Sequence, residues 1–425
     1  IRRSVRDFVE REILTIASEL DNQEAEIPMA VIQQMAELGY FGLIFPEKYG
    51  GMELDTLSMA IVTEELSRGW LSVGSVMTRM IITGSLLMSS GTEEQKKKFL
   101  PKIASGEIDS GIAAGSDTVS DSPIVFGNKF QHRMIDLNKA RTTRDKLGVF
   151  KGFSLGELTP VAPSVNEPRT GLSMGQHCEL MAKEWGITRQ AQDGLAVASH
   201  RNAAAAYDEG FHDDLLVPCA GLVRDNNVRP DANLEKMATL KPAFDKASGQ
   251  GTLTAGNSTP LTDGAAAVLL ASEDWARQRG LPILAYLSMG RVAGNDFAHG
   301  EGLLMAPTIA VSELLARAGL GFDDIDFFEL HEAFAAQVLC TLKAWNDPDY
   351  CREVLDRESV MGEIDPARIN VKGSSLAYGH PFAATGARIL GVTAKLLSQA
   401  PGKRALISVC TAGGQGVTAL LESAT

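Results

Sequence analysis

The chain has 425 residues, of which 44% are hydrophobic and 22% are charged, as in a soluble globular protein of two or three domains. The formal net charge is −13 at pH 7, which argues against general nucleic-acid binding because such binding needs a basic face. Gly, Ser, Lys or Glu interrupts every apolar run, so the sequence predicts no membrane span.

Five cysteines are spread along the chain without a Cys-x-x-Cys pair. That pattern favours a reducing compartment, such as a bacterial cytoplasm, over a disulfide framework. The first residue is Ile1 rather than Met, and no signal-peptide pattern follows it. We therefore expect the sequence to be a fragment at its start.

The first 108 residues carry helical patterns and no strand signal. Pro28 begins a segment with apolar residues at helical spacing, and Gly39 is placed to end it as a C-terminal cap. Asp55 begins another predicted helix. Thr92 and Gln95 have the spacing of a capping box, in which each side chain accepts a hydrogen bond from the other residue's backbone.

Beyond residue 108 short apolar strands alternate with helices, which predicts a layered α/β domain. The segments 265–272 and 416–423 are similar, which suggests a weak duplication of a half-domain with each half ending in a buried strand. Residues 120–250, which precede both segments, are polar and rich in turns, and 188–206 within them has a helical pattern. We interpret 120–250 as an inserted loop domain.

The strongest chemical signal is near the end of the chain, where Cys410 ends a predicted buried strand before a glycine turn (SVCTAGGQG). Glycines allow close approach, so backbone N–H groups of such a turn can face an oxyanion. A thiolate works near neutral pH where a histidine or a helix terminus lowers its pKa. Two further motifs contain histidines, His380 in 378–388 (YGHPFAATGAR) and His331 in 329–337 (ELHEAFAAQ).

These motifs, with 171–175 (GLSMG), 186–189 (GITR) and 254–264 (TAGNSTPLTDG), resemble the thiolase family from about residue 109 to 425. The similarity is closest to the degradative 3-ketoacyl-CoA thiolases of fatty-acid β-oxidation. It implies a layered αβαβα fold with an inserted loop domain and CoA as a substrate. A histidine at position 331 is similar to the branch that partners a hydratase and dehydrogenase subunit, and a homo-oligomer is also expected.

Residues 1–108 resemble a different family, the N-terminal helical domain of the acyl-CoA dehydrogenases. The motifs that carry this similarity are 45–51 (FPEKYGG), 64–68 (EELSR), 91–95 (GTEEQ) and 100–107 (LPKIASGE). The flavin-binding β domain and the helices with the catalytic carboxylate have no counterpart in this sequence. We therefore expect no bound FAD.

The thiolase resemblance implies the catalytic roles. Cys410 is similar to the acid and base for the α-carbon, and His380 to the histidine that activates the acylated cysteine and lines one oxyanion hole. His331 resembles the residue that positions the water of that hole, and the backbone N–H of Ala412 resembles half of the second hole. Glu332 follows His331 without His-Glu-x-x-His spacing, so no metal site is expected.

The same resemblance implies the binding residues. Thr259 is similar to a serine that contacts the pantetheine, although Pro260 replaces a common glycine. Met174 and Phe334 resemble walls of the acyl pocket, against the alternative that they are ordinary core residues. Arg229 is expected near the CoA phosphates, or else to be a solvated surface arginine.

The thiolase-like part begins late, and we expect roughly its first quarter to be missing, including the segment where the family carries its acylated cysteine. The predicted domains are therefore 1–108, a partial N-terminal thiolase half at 109–275, and a C-terminal thiolase domain at 276–425. Cys178 is a candidate substitute nucleophile, although structural filler is the favoured interpretation. Cys219, Cys340 and Cys351 carry no motif and are expected to be inert.

Three interpretations of function stay open. The first is an acyl-CoA acyltransferase of β-oxidation, impaired because the acylated cysteine is absent. The second is a noncatalytic acyl-CoA-binding protein in which the helical domain covers the exposed sheet. The third is a chimera of two truncated β-oxidation proteins, whose unpaired strand edges would lower solubility.

Overall fold

The computed structural model describes residues 1–22, 27–105, 110–121, 124–161, 166–219 and 221–424. The chain divides into two compact units, Ile1–Gly111 and Ile112–Thr425. The boundary predicted between residues 108 and 109 lies outside the described residues. The boundary predicted between 275 and 276 falls inside a short helix of the second unit.

The first unit is helical, and residues 1–22 and 27–105 contain no strand, as the sequence predicts. A π-helical turn, Val9–Ile13, joins the first two helices. The core of the first unit is built from large apolar side chains that are fully buried, including Ile13, Met35, Phe41, Leu66 and Met77. The α-helices of this unit are α1 (Arg2–Phe8), α2 (Leu14–Asn22), α3 (Met29–Glu37), α4 (Thr56–Gly69), α5 (Leu71–Ser90) and α6 (Glu93–Ser105).

The predicted helix ends in this unit are confirmed. The Asp55 carboxylate accepts a hydrogen bond from the backbone N–H of Ser58 at the start of α4. Thr92 and Gln95 exchange the two hydrogen bonds of the capping box, at 2.8 and 3.2 Å. Gly39 follows α3 with φ of 74°, a conformation that favours glycine because it has no Cβ.

One helix of the first unit is long and apolar enough to cross a membrane, judged by length and composition alone. It comprises Leu71–Ser89, which is 29% buried. Its glycines and serines do not lower the mean hydropathy enough to exclude a span. A single helix of this kind is weak evidence, because a core helix of a globular protein passes the same test.

The second unit alternates strands with helices, which confirms the α/β fold that the sequence predicts for this region. Its helices are α7 (Asn128–Lys139), α8 (Thr143–Val149), α9 (Met174–Glu184), α10 (Arg189–Asp208), α11 (Leu234–Ala238), α12 (Glu273–Gln278), α13 (Ala306–Ala318), α14 (Ala335–Trp345), α15 (Pro348–Glu353), α16 (Ser375–Tyr378) and α17 (Phe382–Ser398). Its strands are β1 (Ser110–Asp117), β2 (Val125–Phe126), β3 (Pro160–Val161), β4 (Gly264–Ala271), β5 (Ala285–Gly294), β6 (Phe327–Leu330), β7 (Arg404–Thr411) and β8 (Gln415–Ser423).

The larger sheet has the strand order β5-β8-β7-β6, in which β6 and β7 run parallel and the other pairs are antiparallel. Successive residues of β7 face opposite sides of the sheet. Leu406 joins the core beneath α13 and α14, whereas Ala405 and Ile407 join the core beneath α17. Helices therefore cover both faces of this sheet.

The similar segments 265–272 and 416–423 have different surroundings. Both form strands, β4 and β8, but β4 has only β1 as a neighbour among the described strands, whereas β8 lies between β5 and β7. The prediction that both strands are buried is wrong for β4, where Leu269 and Leu270 are exposed. Helix α17 packs on β4, and one helix cannot cover a strand on both faces.

The Asp263 carboxylate fixes the loop after β1 to the start of β4. It accepts hydrogen bonds from the backbone N–H groups of Val119 and Ser120 at 2.6 and 3.0 Å, and from the hydroxyls of Thr118 and Ser120. These donors lower the pKa of Asp263, the Ser120 hydroxyl most of all. The carboxylate thus ties the loop after β1 to the residue before β4.

Candidate active site

The parallel pair β6 and β7 brings the histidine and cysteine motifs to one edge of the larger sheet. Leu330 pairs with Ser408, and the backbone N–H of His331 donates to the Ser408 carbonyl at 2.8 Å. Cys410 lies two residues further along β7. Because carboxyl ends of parallel strands meet at one edge, His331 and Cys410 both emerge there.

Cys410 is the second-to-last residue of β7, at the end of the strand as the sequence predicts. It pairs with Gly416 of β8. Gly413 and Gly414, in the connecting loop, have φ of 78° and 70°, which favours glycine. A Cβ on Gly416 would lie 2.4 Å from the backbone N of Pro307, so only glycine fits opposite the cysteine. Burial raises the pKa of the Cys410 thiol to about 12, and the thiol is neutral at pH 7 rather than favoured as a thiolate.

His380 lies between α16 and α17, and one of its ring nitrogens is fixed by Thr385. Its Nδ1 is 2.7 Å from the Thr385 hydroxyl, which itself donates to the carbonyl of Pro381 at 3.1 Å. When the single proton of that hydroxyl is donated to Pro381, its oxygen accepts from Nδ1 of His380, and Nε2 keeps its lone pair. Burial, together with the charge of Arg388, lowers the pKa of His380 to about 4, so the ring is neutral at pH 7.

His331 is 1% exposed and lies against His380, with ring centroids 4.3 Å apart and planes at 55°. Its Nδ1 is 2.8 Å from the hydroxyl of Ser375 in α16, and its Nε2 is buried with no hydrogen-bond partner among the described residues. Burial lowers its pKa well below the ordinary value, so this ring is also neutral. The site therefore holds two uncharged imidazoles.

Glu332 organises this site, although sequence reasoning considered it only as a metal ligand. Its carboxylate accepts hydrogen bonds from the hydroxyl of Ser199 at 2.6 Å, the side-chain amide of Asn370 at 2.7 Å and the backbone N–H of Leu376 at 3.1 Å. The last bond holds the start of α16, which carries the Ser375 that contacts His331. No local pattern identifies this role, because Ser199 is 133 residues away in sequence.

One predicted ligand-binding residue, Thr259, lies beside the histidine segments. The Thr259 hydroxyl donates to the Ser375 carbonyl at 2.7 Å, which leaves its lone pairs as acceptors for a ligand. The carbonyl of Pro260 accepts from the backbone N–H of His380 at 3.0 Å. Ala412 is exposed at the first position of the loop between β7 and β8.

The predicted pocket walls belong to one apolar cluster with Cys410. Phe334 is buried in that cluster, Met174 packs against it at the start of α9, and Cys178 is fully buried within it. Burial raises the pKa of Cys178 well above its ordinary value, which makes it a poor nucleophile. Both interpretations of Met174 and Phe334, core and pocket wall, fit this position.

Arg229 lies away from the cysteine, in a cleft of about 420 Å³. Arg229 and Lys236 supply the cations of this cleft, and Pro260 and Leu376 line the side next to the histidine segments. Lys236 forms an ion pair with Asp231, and the Arg229 guanidinium donates to the Asn226 carbonyl at 2.7 Å. Asp231 also lines the cleft and offsets the charge of Lys236, so Arg229 supplies the excess positive charge. The cleft shares a wall with the candidate active site.

Across the described ranges, the side chains of His, Cys, Asp and Glu do not form a group of three or more that could hold a metal ion. All five cysteines are free thiols in the structure, and only Cys219 is exposed.

The second unit is a layered α/β fold in which Cys410 and the neutral His331 lie at one sheet edge, with the neutral His380 against His331. Residues 89–274 match the thiolase N-terminal domain and residues 281–423 match the thiolase C-terminal domain. Residues 1–107 match the N-terminal domain of acyl-CoA dehydrogenases, so the two kinds of match overlap at 89–107. The chain belongs to the thiolase family, with a dehydrogenase-like helical region before the thiolase fold.

Individual relatives agree with this assignment. A 3-ketoacyl-CoA thiolase of Erwinia tasmaniensis is 43% identical over 323 residues, which cover 75% of this chain and 73% of that protein. A 3-ketoacyl-CoA thiolase of Yersinia pestis is 43% identical over 326 residues, 75% of this chain and 74% of that protein.

Solved structures show the same likeness. Human mitochondrial 3-ketoacyl-CoA thiolase superposes with a TM-score of 0.61 at 28% identity, covering 77% of this chain and 75% of that one, and it has also been solved in complex with CoA. Bacillus anthracis acetyl-CoA acetyltransferase gives a TM-score of 0.58 at 30% identity, again covering 77% and 75%.

Proposed function

We propose that this chain binds CoA thioesters and retains the enolisation step of the thiolase reaction, whereas the complete reaction, 3-ketoacyl-CoA plus CoA to acyl-CoA plus acetyl-CoA, is strongly impaired. The observation that carries the proposal is the pair of neutral histidines beside the strand of Cys410. One imidazole presents an N–H in the site and the other presents a lone pair. The names of the relatives support a CoA thioester as the ligand.

Enolisation needs a base at the α-carbon and a donor at the thioester oxygen. In the proposed step the small fraction of Cys410 that has lost its proton to solvent acts as the base. This thiolate takes a proton from the methyl carbon of acetyl-CoA and becomes the thiol, and the C–H electron pair forms the enolate. The negative charge moves to the thioester oxygen, where Nε2–H of His331 donates a hydrogen bond. In the reverse step the Cys410 thiol returns the proton to carbon, so that nothing is consumed.

Acyl transfer needs a further thiol that becomes acylated. The family carries that cysteine in the segment that we expect to be missing here, and Cys178 is buried and protonated. His380 Nε2 could accept a proton from such a thiol, but this chain presents no suitable one beside it in its described residues. We therefore propose that thiolysis is slow while enolisation persists.

The cleft at Arg229 supports the choice of ligand. A CoA phosphate is an anion, and Arg229 and Lys236 are the cations that line this cleft. The cleft shares Pro260 and Leu376 with the walls beside His380 and His331, so a ligand bound there by its phosphates could extend its thioester toward the histidines. The Thr259 hydroxyl could then accept a hydrogen bond from a pantetheine amide.

The test is proton exchange of acetyl-CoA in D₂O, followed by mass spectrometry, beside a standard thiolysis assay with a 3-ketoacyl-CoA. We expect deuterium in the acetyl group and little thiolysis. Cys410→Ser should abolish the exchange, whereas Cys219→Ser, at the exposed thiol, should not change it. Full thiolysis that depends on Cys410 would contradict the proposed impairment, and absence of exchange with intact binding would contradict the enolisation.

A second candidate function is binding without chemistry, and the protonated state of Cys410 favours it. With a pKa of about 12, only about one thiol in 10⁴ is ionised at pH 8. Calorimetric titration with CoA separates this function from enolisation. Arg229→Gln should weaken CoA binding about tenfold, whereas Arg224→Gln, at a cation that stacks on Tyr207, should leave it unchanged.

The family resemblance also predicts assembly, either as a homo-oligomer or with a β-oxidation hydratase and dehydrogenase subunit. Native mass spectrometry of the purified chain tests the first possibility. We expect the purified chain to be colourless, because the dehydrogenase-like residues 1–107 correspond only to an N-terminal helical domain. A stoichiometric flavin would contradict this expectation, and insoluble protein would favour a chimera of two truncated proteins.

A further inference from the structure

Arg388 of α17 is a half-buried cation that lies at the end of the His380 motif. Its Nη2 donates to the hydroxyl of Ser375 at 2.8 Å, and its guanidinium lies 5.6 Å from the ring centre of Tyr378. Its Nε and Nη1 are buried without a hydrogen-bond partner in the described part of the chain. A charge in such surroundings is costly, so its position calls for a specific role.

The Ser375 hydroxyl connects Arg388 to His331. Its oxygen accepts from Arg388, and its single proton can only be donated once. The acceptor that the structure places at that hydroxyl is Nδ1 of His331, at 2.8 Å. If Nδ1 accepts, then Nε2 of the neutral ring must carry the proton, and Nε2 is the atom that is buried and unpartnered.

We propose that Arg388 is a positioning residue that acts through Ser375 to fix the tautomer of His331, so that Nε2–H of His331 is the hydrogen-bond donor of the site. The guanidinium orients the Ser375 hydroxyl by occupying one of its two lone pairs, and the hydroxyl proton then points at Nδ1. Arginine suits this role because its guanidinium is planar and always protonated, so it is a donor only. The same charge opposes addition of a second proton to either imidazole.

Other charged groups around the histidines do not replace Arg388. His331 faces His380 and Arg388, and Glu329 and Glu332 lie on its own segment. Burial raises the pKa of Glu329 to about 8, so this carboxyl is mainly neutral at pH 7 and does not cancel the cation. The charge of Asp117 in β1 raises the pKa of His380, but burial and the charge of Arg388 lower this pKa by more.

This inference rests on the proposed function only for its catalytic meaning, because the tautomer can be measured without turnover. The experiment is two-bond ¹H–¹⁵N correlation of the imidazoles in ¹⁵N-histidine-labelled full-length chain, from pH 5 to 8. The chain has seven histidines. His331→Asn and His380→Asn assign the two signals by their disappearance.

In the unmodified chain we expect His331 to be neutral throughout, with Nε2 protonated and Nδ1 accepting. Ser375→Ala should give a mixture of the two tautomers of His331 while leaving the pKa of His380 low, because Arg388 remains. Arg388→Met should disturb the tautomer of His331 and also raise the pKa of His380. Arg388→Lys, which keeps the charge but not the planar donor, should restore the low pKa of His380 and leave the tautomer of His331 mixed.

A His331 signal with Nδ1 protonated in the unmodified chain would overturn the inference, and so would an unchanged His331 signal in Ser375→Ala. Ser375→Ala removes one hydroxyl only, so it keeps the test available if Arg388→Met does not fold. Loss of CoA binding or of proton exchange with the predicted tautomer intact would contradict the proposed function and leave this inference standing.

Discussion

The imidazoles of His331 and His380 have ring centroids 4.3 Å apart and carry their protons on different nitrogens. His380 donates from Nδ1 to Thr385, whereas His331 accepts at Nδ1 from Ser375. Both rings are neutral because burial lowers both pKa values, and the charge of Arg388 lowers them further. One site therefore contains a neutral donor and a neutral acceptor in contact, and the hydroxyls around them decide which ring has which role.

Replacement of Thr385 should disturb His380 without changing the volume of the core. Thr385→Val leaves Nδ1–H of His380 and the Pro381 carbonyl without this partner, which costs about 1–3 kcal/mol. We expect a lower melting temperature by calorimetry and a mixed tautomer of His380. Thr393→Val is the matched control, because among the described residues the Thr393 hydroxyl bonds only to the Ile389 carbonyl in the same helix. Equal effects of the two substitutions would contradict this prediction.

Glu332 should be needed for the geometry of α16. Glu332→Gln replaces one acceptor oxygen by an NH₂ group that must face the donors Ser199, Asn370 or Leu376, at a cost of about 1–3 kcal/mol. Denaturant unfolding measures this loss. Glu358→Gln, on the exposed surface, removes the same charge and should cost little. If Glu332→Gln were as stable as Glu358→Gln, the carboxylate would not hold this segment.

Gly416 should be intolerant of any side chain. In Gly416→Ala the new methyl group would lie 2.4 Å from the backbone N of Pro307, which cannot rotate away. We expect a loss of about 1–3 kcal/mol, measured by calorimetry, and a displaced strand opposite Cys410. Gly290→Ala is the control in the same sheet, since its new methyl group would meet nothing closer than the Thr418 carbonyl at 3.8 Å. A neutral Gly416→Ala would show that β8 and α13 can separate without cost.

The first unit should lose stability in acid through Glu65. Hydrogen bonds from Arg6, and further ones from Arg2 and Arg68, lower the pKa of this buried carboxylate from 4.5 to about 2. A depressed pKa stabilises the fold above pH 4.5, and that contribution is lost as the pH falls toward 2. Because the arginines are partly exposed, added salt should weaken the effect.

Thermal unfolding across this pH range measures the contribution of Glu65. Glu65→Gln should lower the melting temperature at pH 7 and flatten its dependence on pH between 4.5 and 2. Glu64→Gln, next to it on α4 and 63% exposed, should leave that dependence intact. An unaltered pH dependence in Glu65→Gln would assign the acid sensitivity to other carboxylates.

Features that depend on neighbouring residues were predictable from the sequence. Three such features follow from spacing within a few residues. They are the capping box at Thr92, the helix start at Asp55 and the strand end beside Cys410. The helix predicted at 188–206 is α10, which begins after Thr188 and ends at Asp208. Family motifs supplied the fold, because each contains several residues whose order and spacing are specific.

Features that depend on distant residues were not predictable. The internal similarity of 265–272 and 416–423 suggested two buried strands, but burial depends on how many strands and helices cover each one, and β4 is left largely exposed. A thiolate works near neutral pH where a histidine or a helix end lowers its pKa, but the apolar cluster around Cys410 raises the pKa of this thiol. Desolvation is a property of the packed core, and no motif encodes it.

By itself the sequence determined that this is a thiolase-family chain with a dehydrogenase-like helical region, and it placed His331, His380 and Cys410 at the ends of elements. Only the tertiary structure decided the protonation states of these side chains. Hydrogen bonds from Ser375, 44 residues from His331, and from Arg388, 13 residues further on, set the protonation of the site. A tautomer depends on the direction of a single hydroxyl proton, and that direction is fixed only when segments distant in sequence pack together.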